Sequence, residues 1–231
     1  MRRFEDKFLF PNNFISNDEV SMTIEALRGS ITHCYETLDM IDQNLVSKKV
    51  QKLSKLVELA NLSSIVGNLL GAGFAEYSNG LYYRNKPHTY PDLVATDLNK
   101  PGIEIKTALK KNSPKGHQPK AGYYLTYRYC LTDENGNVDV DDDDKLDTVT
   151  IWEVKFGYLS SDDFSCSNTE GDSGKTAVIR TGVLNNMPLL YLNPVRSKFQ
   201  YFPWKNPISS FRMPYCRLRN FPWKRRQILR F

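Results

Sequence analysis

Residues 103–106 alternate apolar and polar side chains within the segment Gly-Ile-Glu-Ile-Lys-Thr-Ala-Leu at 102–109. Successive side chains of a β-strand point to opposite faces of the sheet, so the pattern predicts a strand. Ile103 and Ile105 would lie on one face, and Glu104 and Lys106 on the other. Burial of the isoleucines then requires a layer packed against that face, so the chain is expected to fold around a β-sheet.

A second, short strand is predicted immediately before this one. Asp92-Leu-Val-Ala-Thr follows Pro91, and Asn99-Lys-Pro-Gly has the composition of a tight turn. Pairing of the two strands through this turn would bring the Asp92 carboxylate beside Glu104.

The other elements are predicted from periodicity and turn residues. Apolar side chains at spacings of three and four predict one long helix, or two abutting helices, over roughly 46–71, ended by Gly71 and Gly73. The N-terminal part is expected to be helical, with turns at Pro11 and Gly29. Further predicted elements are a hairpin over 74–83 with an Asn79-Gly80 turn, long strands over 123–131 and 148–159, and a late strand over 189–192.

The composition is that of an ordinary globular protein. The chain has 231 residues, of which 40% are hydrophobic and 25% charged, which suits one compact domain. No window approaches the roughly 20 apolar residues of a membrane span, and the N-terminus lacks a signal-peptide stretch. A cytoplasmic protein without membrane association is therefore expected. The four cysteines form no CxxC pair and are expected to be buried thiols.

The charge is unevenly distributed along the chain. The net charge is +5, but the last 59 residues contain 12 Lys and Arg and no Asp or Glu, so the first 172 carry −7. Segregated positive charge indicates a surface for a polyanion, or alternatively a solubilising basic tail.

An acidic segment has the alternate spacing of a calcium loop at Asp133, Asn135, Asn137 and Asp139. Val138 stands where such a loop requires glycine, and the twelfth position is an aspartate instead of a glutamate. A polar hairpin loop is therefore the preferred interpretation.

The clearest prediction of a chemical role concerns Asp92, Glu104 and Lys106. Two carboxylates held close together repel each other unless a cation lies between them, and Mg²⁺ prefers such oxygen ligands. A lysine beside the ion can orient the attacking water and neutralise charge that builds on a phosphate. The alternative is an ordinary exposed Glu–Lys pair that contributes little.

The arrangement of these residues resembles a known signature. Pro91-Asp92, followed twelve residues later by Glu104-Ile105-Lys106, is similar to the motif of the PD-(D/E)xK nuclease superfamily, which includes type II restriction endonucleases. The resemblance implies an α/β (α+β) fold with a restriction-endonuclease-like core, a central mixed β-sheet flanked by helices. It also implies that Asp92, Glu104 and the Ile105 carbonyl bind Mg²⁺ and that Lys106 assists the water.

Many members of the superfamily carry a further glutamate on the helix before the first strand. By resemblance Glu58 is the candidate for this catalytic role, with Glu76 in reserve; the alternative for Glu58 is a solvated side chain on a Lys-rich helix. The resemblance covers about 58–129. It implies a single nuclease domain over 1–231, with a helical N-terminal part (1–45), a catalytic core (46–195) and a basic, aromatic C-terminal extension (196–231).

Cations after the motif are candidate contacts to DNA phosphates. Lys110, Lys111 and His117 lie on a loop that leaves the predicted active-site strand, and each could instead be simply solvated. The candidates in the basic extension are Arg212, Arg217 and Arg219.

Three functions are compatible with these observations. The preferred one is a Mg²⁺-dependent type II restriction endonuclease that acts on double-stranded DNA as a homodimer, since twofold symmetry lets two sites address both strands. The others are a structure-specific nuclease, such as a junction resolvase or repair nuclease, and a non-catalytic DNA-binding protein.

Overall fold

The computed structural model describes residues 2–15, 17, 19–87, 89–116, 118–138, 146–167 and 176–193. The helices are α1 (Ile24–Ser47), α2 (Leu53–Leu56), α3 (Leu59–Glu76) and α4 (Thr181–Asn186). The strands are β1 (Tyr82–Arg84), β2 (Leu93–Ala95), β3 (Ile103–Leu109), β4 (Lys115–Gly116), β5 (Gly122–Thr132), β6 (Thr148–Leu159), β7 (Phe164–Ser167), β8 (Thr176–Ile179) and β9 (Leu189–Leu192).

Six strands form the central sheet, in the order β1-β2-β3-β5-β6-β9. β3 and β5 run parallel, and the other neighbouring strands are antiparallel. The predicted mixed sheet with helices against it is therefore confirmed. The long strands β5 and β6 coincide with the stretches rich in Tyr, Thr, Val and Ile, because β-branched and aromatic side chains suit a pleated, buried surface.

Helices α1 and α3 cover one face of this sheet. Leu62, Val66 and Leu70 recur every four residues, which places them on one side of α3, and all three are fully buried in a cluster with Ile103. The hydroxyl of Ser30 in α1 donates a hydrogen bond to the Leu70 carbonyl at 2.7 Å. This layer holds α3 against β3, the strand that carries the predicted catalytic residues.

A smaller sheet lies over the opposite face. Its three strands are ordered β4-β8-β7, and both neighbouring pairs are antiparallel. Tyr124 of β5 forms a buried cluster with Phe164, Ile179 and Leu184 beneath this cover. The face that carries Glu104 is therefore partly covered.

One long helix over 46–71 is a wrong prediction, and the alternative of two abutting helices is wrong in its bounds, since the helices there are α2 (Leu53–Leu56) and α3 (Leu59–Glu76). The chain leaves α1 at Ser47, turns with Lys49 at a φ of 62°, and begins α3 only at Leu59. Val46 and Val50 matched the apolar period but are 52% and 40% exposed. Local spacing alone could not distinguish side chains that reach the core from those that do not.

Three glycines predicted to end or interrupt helices lie inside them. Gly71 and Gly73 belong to α3, and Gly29 belongs to α1. A Cβ on Gly73 would lie 2.6 Å from the Cβ of His33, and a Cβ on Gly29 would lie 2.1 Å from the Tyr77 ring. Gly29 and Gly73 therefore permit close packing of α1 and α3, a requirement that arises only when the two helices meet.

The predicted Asn79-Gly80 turn is present but has a different role. Its residues have φ angles of 54° and 75°, and the turn joins α3 to β1. The hairpin predicted over 74–83 is wrong in its first half, because Phe74 is a buried residue of α3. The hairpin in the structure is formed by β1 and β2.

The segment after β5 forms a polar turn, as predicted. The Asp133 carboxylate accepts hydrogen bonds from the backbone N–H groups of Asn135 and Asn137 at 2.9 and 2.7 Å. The rest of the acidic run, residues 139–145, lies outside the described residues.

Within the described ranges, no helix combines the length and the apolar character needed to cross a bilayer. Cys34 and Cys130 are buried, as predicted, whereas Cys166, on strand β7 of the small sheet, is exposed, so the prediction is wrong for this residue. Cys216 lies outside the described residues.

Candidate active site

The pairing of β2 with β3 brings the two predicted carboxylates together. Leu93 pairs with Ile103 in antiparallel register, so the preceding residue, Asp92, lies opposite Glu104. The Asp92 N–H donates to Glu104 Oε2 at 3.1 Å, and the Ile105 N–H donates to Asp92 Oδ2 at 2.9 Å. Each carboxylate is thus held by a backbone amide of the neighbouring segment, which fixes both in place.

Lys106 completes the group from the same strand as Glu104. Its Nζ lies 2.5 Å from Glu104 Oε1, and the two side chains are 22% and 11% exposed. Positions two apart on a strand share a face, so this contact follows from the Glu-Ile-Lys order. Gly116 of β4 lies alongside, where an added Cβ would be 3.2 Å from Lys106 Cε.

Opposing electrostatic effects act on the pKa of the Glu104 carboxyl. Burial raises the pKa of this carboxyl, the negative charge of Asp92 raises it further, and the ammonium of Lys106 opposes both effects. A cation close to Glu104 therefore stabilises its charged form against the effects of burial and of Asp92.

An open cleft of about 250 Å³ borders this group. The cleft is lined by Asp92, Ile105, Lys106 and Thr107 and by a polar face of α3, whereas Glu104 is not one of its lining residues. The lining of this cleft is completed by Ser63, Ser64, Gly67, Asn68, Arg84 and Lys115. Three cations and one carboxylate line the cleft, so it favours an anionic ligand.

The available donors fit Mg²⁺. Asp92, Glu104 and the Ile105 carbonyl supply hard oxygen ligands, and Mg²⁺ is commonly bound by one or two carboxylates with waters in the remaining positions. Within the described residues, no group of three or more His, Cys, Asp or Glu side chains has the arrangement of a metal site. The protein would contribute two carboxylates and one carbonyl, and water would fill the remaining positions.

Neither candidate for the accessory carboxylate lines the cleft. Glu58 is exposed at the N-terminal cap of α3, whereas the α3 residues that reach the cleft begin at Ser63. Glu76 lies near the other end of the helix, with its Oε2 3.3 Å from Nδ1 of His33. The catalytic role of Glu58 stays a prediction.

The predicted DNA contacts divide into two groups. Lys110 and Lys111 are exposed directly after β3, where the active-site strand ends. The remaining predicted contacts lie outside the described residues: His117, Arg212, Arg217 and Arg219.

Arg84 and Asn68 are cleft residues that sequence analysis missed. Arg84 Nη1 donates to the Asn68 carbonyl at 2.6 Å, and Nη2 lies 3.2 Å from Asn68 Oδ1. Arg84 Nε is buried and has no hydrogen-bond partner among the described residues. The polar pair Ser64 and Asn68, four apart on a helix, was a detectable signal, whereas nothing local marks Arg84.

Comparisons with known proteins add no family assignment. No family model matches the chain, and a search of curated proteins found no significant match.

Proposed function

We propose that this protein is a Mg²⁺-dependent, sequence-specific endonuclease of the type II restriction class, acting on double-stranded DNA as a homodimer. The observation that carries the proposal is the hydrogen-bonded group of Asp92, Glu104 and Lys106, two members of which, Asp92 and Lys106, line a polar cleft together with Arg84 and Lys115. Fixed carboxylates beside an ammonium group suit phosphodiester hydrolysis, in which negative charge builds up on the phosphate.

Each residue has a defined task in this proposal. Asp92 and Glu104, with the Ile105 carbonyl, would hold the ion, which when bound activates water and neutralises phosphate charge. The backbone hydrogen bonds from Asp92 and Ile105 keep the carboxylates oriented before substrate arrives. Lys106 neutralises Glu104 and can donate a hydrogen bond to the attacking water or to a phosphate oxygen.

The proposed substrate follows from charge. Arg84 and Lys115 line the cleft, and Lys110 and Lys111 are exposed beyond the end of β3. Cations on such a surface can contact phosphates without reading bases. Sequence selection is assigned to other parts of the chain, among them the basic extension 196–231, and a dimer would present one cleft to each strand.

Cleavage of a sequenced supercoiled plasmid with Mg²⁺ tests the proposal. We expect fragments with defined ends, and we expect Asp92→Asn and Lys106→Met to slow cutting by about 100-fold or more. Asp97→Asn is the matched control, because Asp97 is an exposed carboxylate five residues from Asp92. DNA affinity of all variants, measured without divalent cation, should stay close to that of the wild type.

Cutting by Asp92→Asn or Lys106→Met at nearly the wild-type rate would refute this site assignment. Cleavage restricted to branched or mismatched DNA would favour a structure-specific nuclease, and binding without cleavage would favour a non-catalytic DNA-binding protein.

A further inference from the structure

A buried ion pair lies beneath the loop that carries Lys110 and Lys111. Arg128 Nε and Nη2 donate to the two carboxylate oxygens of Glu153 at 2.6 and 2.5 Å. The exposed fractions of Arg128 and Glu153 are 7% and 3%. The pair is bidentate, which fixes the plane of the guanidinium group.

The same buried group holds the backbone of the loop. Arg128 Nη1 donates to the Lys111 carbonyl at 3.3 Å, and Trp152 Nε1 donates to the Lys110 carbonyl at 3.2 Å. The Trp152 ring lies 4.4 Å from the Arg128 guanidinium, so both donors belong to one packed unit. The consecutive backbone carbonyls of Lys110 and Lys111 therefore each accept a hydrogen bond from this buried group. The loop that begins with these two residues is called the basic loop below.

The loop has a backbone conformation that needs such support. Lys110 has a φ of 56°, a left-handed conformation that is uncommon for residues other than glycine, and its N–H donates to the Tyr129 carbonyl. With the carbonyls of Lys110 and Lys111 directed inwards, the chain turns sharply at the end of β3 and both lysines remain exposed.

The register of the sheet accounts for this placement. Arg128 of β5 is paired with Glu153 of β6 on one side and with Ala108 of β3 on the other. Paired residues share a face of the sheet, so Arg128 lies on the same face as Ala108, two residues before Lys110.

Stability alone is a weak explanation for this pair. Replacing a buried ion pair by well-packed apolar residues is often neutral or stabilising, because removing charges from water is costly. Apolar residues could not, however, donate hydrogen bonds to the loop carbonyls.

We propose that Arg128, Glu153 and Trp152 are positioning residues that hold Lys110 and Lys111 where they contact substrate phosphates. The inference rests on the proposed function, because it takes nucleic acid as the ligand of the loop. It assigns a role in DNA binding to buried residues, which act through the loop and do not contact the DNA themselves.

Arg128→Met and Arg2→Met form a matched pair of variants for the test. Arg2 is also 7% exposed and pairs with two carboxylates, Asp39 and Asp42, and neither Arg2 nor its partners line the cleft. Each substitution removes a buried arginine from its carboxylate partners, so both variants are expected to lower Tm. A purely structural role of Arg128 would give the two variants the same DNA-binding behaviour.

The readout is the dependence of DNA affinity on salt, measured on the full chain without divalent cation. Lys110→Gln together with Lys111→Gln should reduce the slope of log affinity against log salt by about 2, since each phosphate contact contributes about 0.9. Arg128→Met should reproduce most of this reduction, and Arg2→Met should leave the slope unchanged.

Trp152→Phe keeps the proposal testable if Arg128→Met does not fold. It retains an aromatic ring against Arg128 but removes the donor to the Lys110 carbonyl. We expect faster trypsin cleavage after Lys110 and Lys111, without DNA present, together with a smaller salt slope.

The outcomes separate the two proposals. Wild-type protein that binds no DNA would overturn both. Wild-type protein whose slope falls in the double lysine variant, but not in Arg128→Met or Trp152→Phe, would overturn the positioning role alone. Equal changes in Arg128→Met and Arg2→Met would do the same.

Discussion

At Asp92 and Glu104, each carboxylate accepts a hydrogen bond from the backbone of the other's segment. Asp92→Asn keeps an oxygen that can accept the Ile105 N–H, whereas Asp92→Ala leaves that amide without its acceptor. An unsatisfied buried donor costs about 1–3 kcal/mol, so the alanine variant mixes chemistry with stability. For this reason the asparagine variant is the sharper test of catalysis.

Glu104 leads to a prediction about pH. Folding raises the pKa of its carboxyl above the usual 4.5, chiefly through burial. Folding therefore favours the protonated form of Glu104. The contribution of this effect to the free energy of unfolding is complete below pH 4.5 and is lost as the pH rises through the raised pKa. Without divalent cation, the unfolding free energy of the wild type should fall relative to Glu104→Gln over this range.

Urea unfolding of both proteins at a series of pH values, in a chelator, measures this difference. Added Mg²⁺ should stabilise the wild type more as the pH rises, because the ligand carboxylate must be deprotonated, and should have little effect on Glu104→Gln. A difference between the two proteins that is independent of pH would contradict the prediction.

Among the elements, α3 has two roles. One side packs against α1 and the sheet, and a polar face lines the cleft. Its glycines are divided between these roles, since Gly73 contacts α1 and Gly67 lines the cleft.

Gly73→Ala should destabilise the protein and Gly67→Ala should not. A Cβ on Gly73 would lie 2.9 Å from the Gly29 carbonyl oxygen, and overpacking costs about 1–3 kcal/mol. A Cβ on Gly67 would meet the Thr107 side chain at 3.4 Å, an ordinary contact, so the helix-forming preference of alanine could add up to about 1 kcal/mol. Denaturant midpoints compare the two, and an equal loss in both would contradict this account of the helix contacts.

The bounds of the strands and of α3 show which structural features a local sequence pattern predicts and which it does not. The strands around Asp92 and Glu104 lie where alternation and turn residues predict them, because burial on one face is a local property with a period of two. The start of α3 and the inclusion of Gly71 and Gly73 were not predicted, since they depend on which apolar residues meet the sheet.

For the whole molecule, the main feature is segregated charge. The last 59 residues have 12 basic side chains and no acidic ones. Long-range attraction to a polyanion depends on this distribution and not on the details of the fold.

Replacing Arg212, Arg217 and Arg219 together by glutamine should weaken DNA binding and reduce the salt slope by about 3, if each contacts one phosphate. The matched control is a triple replacement by glutamine at Lys7, Arg28 and Lys48. It removes the same charge at exposed or half-exposed sites that do not line the cleft. Affinity measured at several salt concentrations compares the two triple variants. Equal slopes would show that the extension does not contact DNA.

By itself the sequence determined the two strands around Asp92 and Glu104, the long strands β5 and β6, and the three chemical groups of the candidate site. These depend on neighbours within one strand or one turn, and Asp92 is only twelve residues from Glu104. The tertiary structure decided that Arg84 binds Asn68 and that Arg128 and Trp152 hold the basic loop. Those contacts join elements that are distant in the sequence. They depend on strand register and on packing, so no periodic pattern in the sequence predicts them.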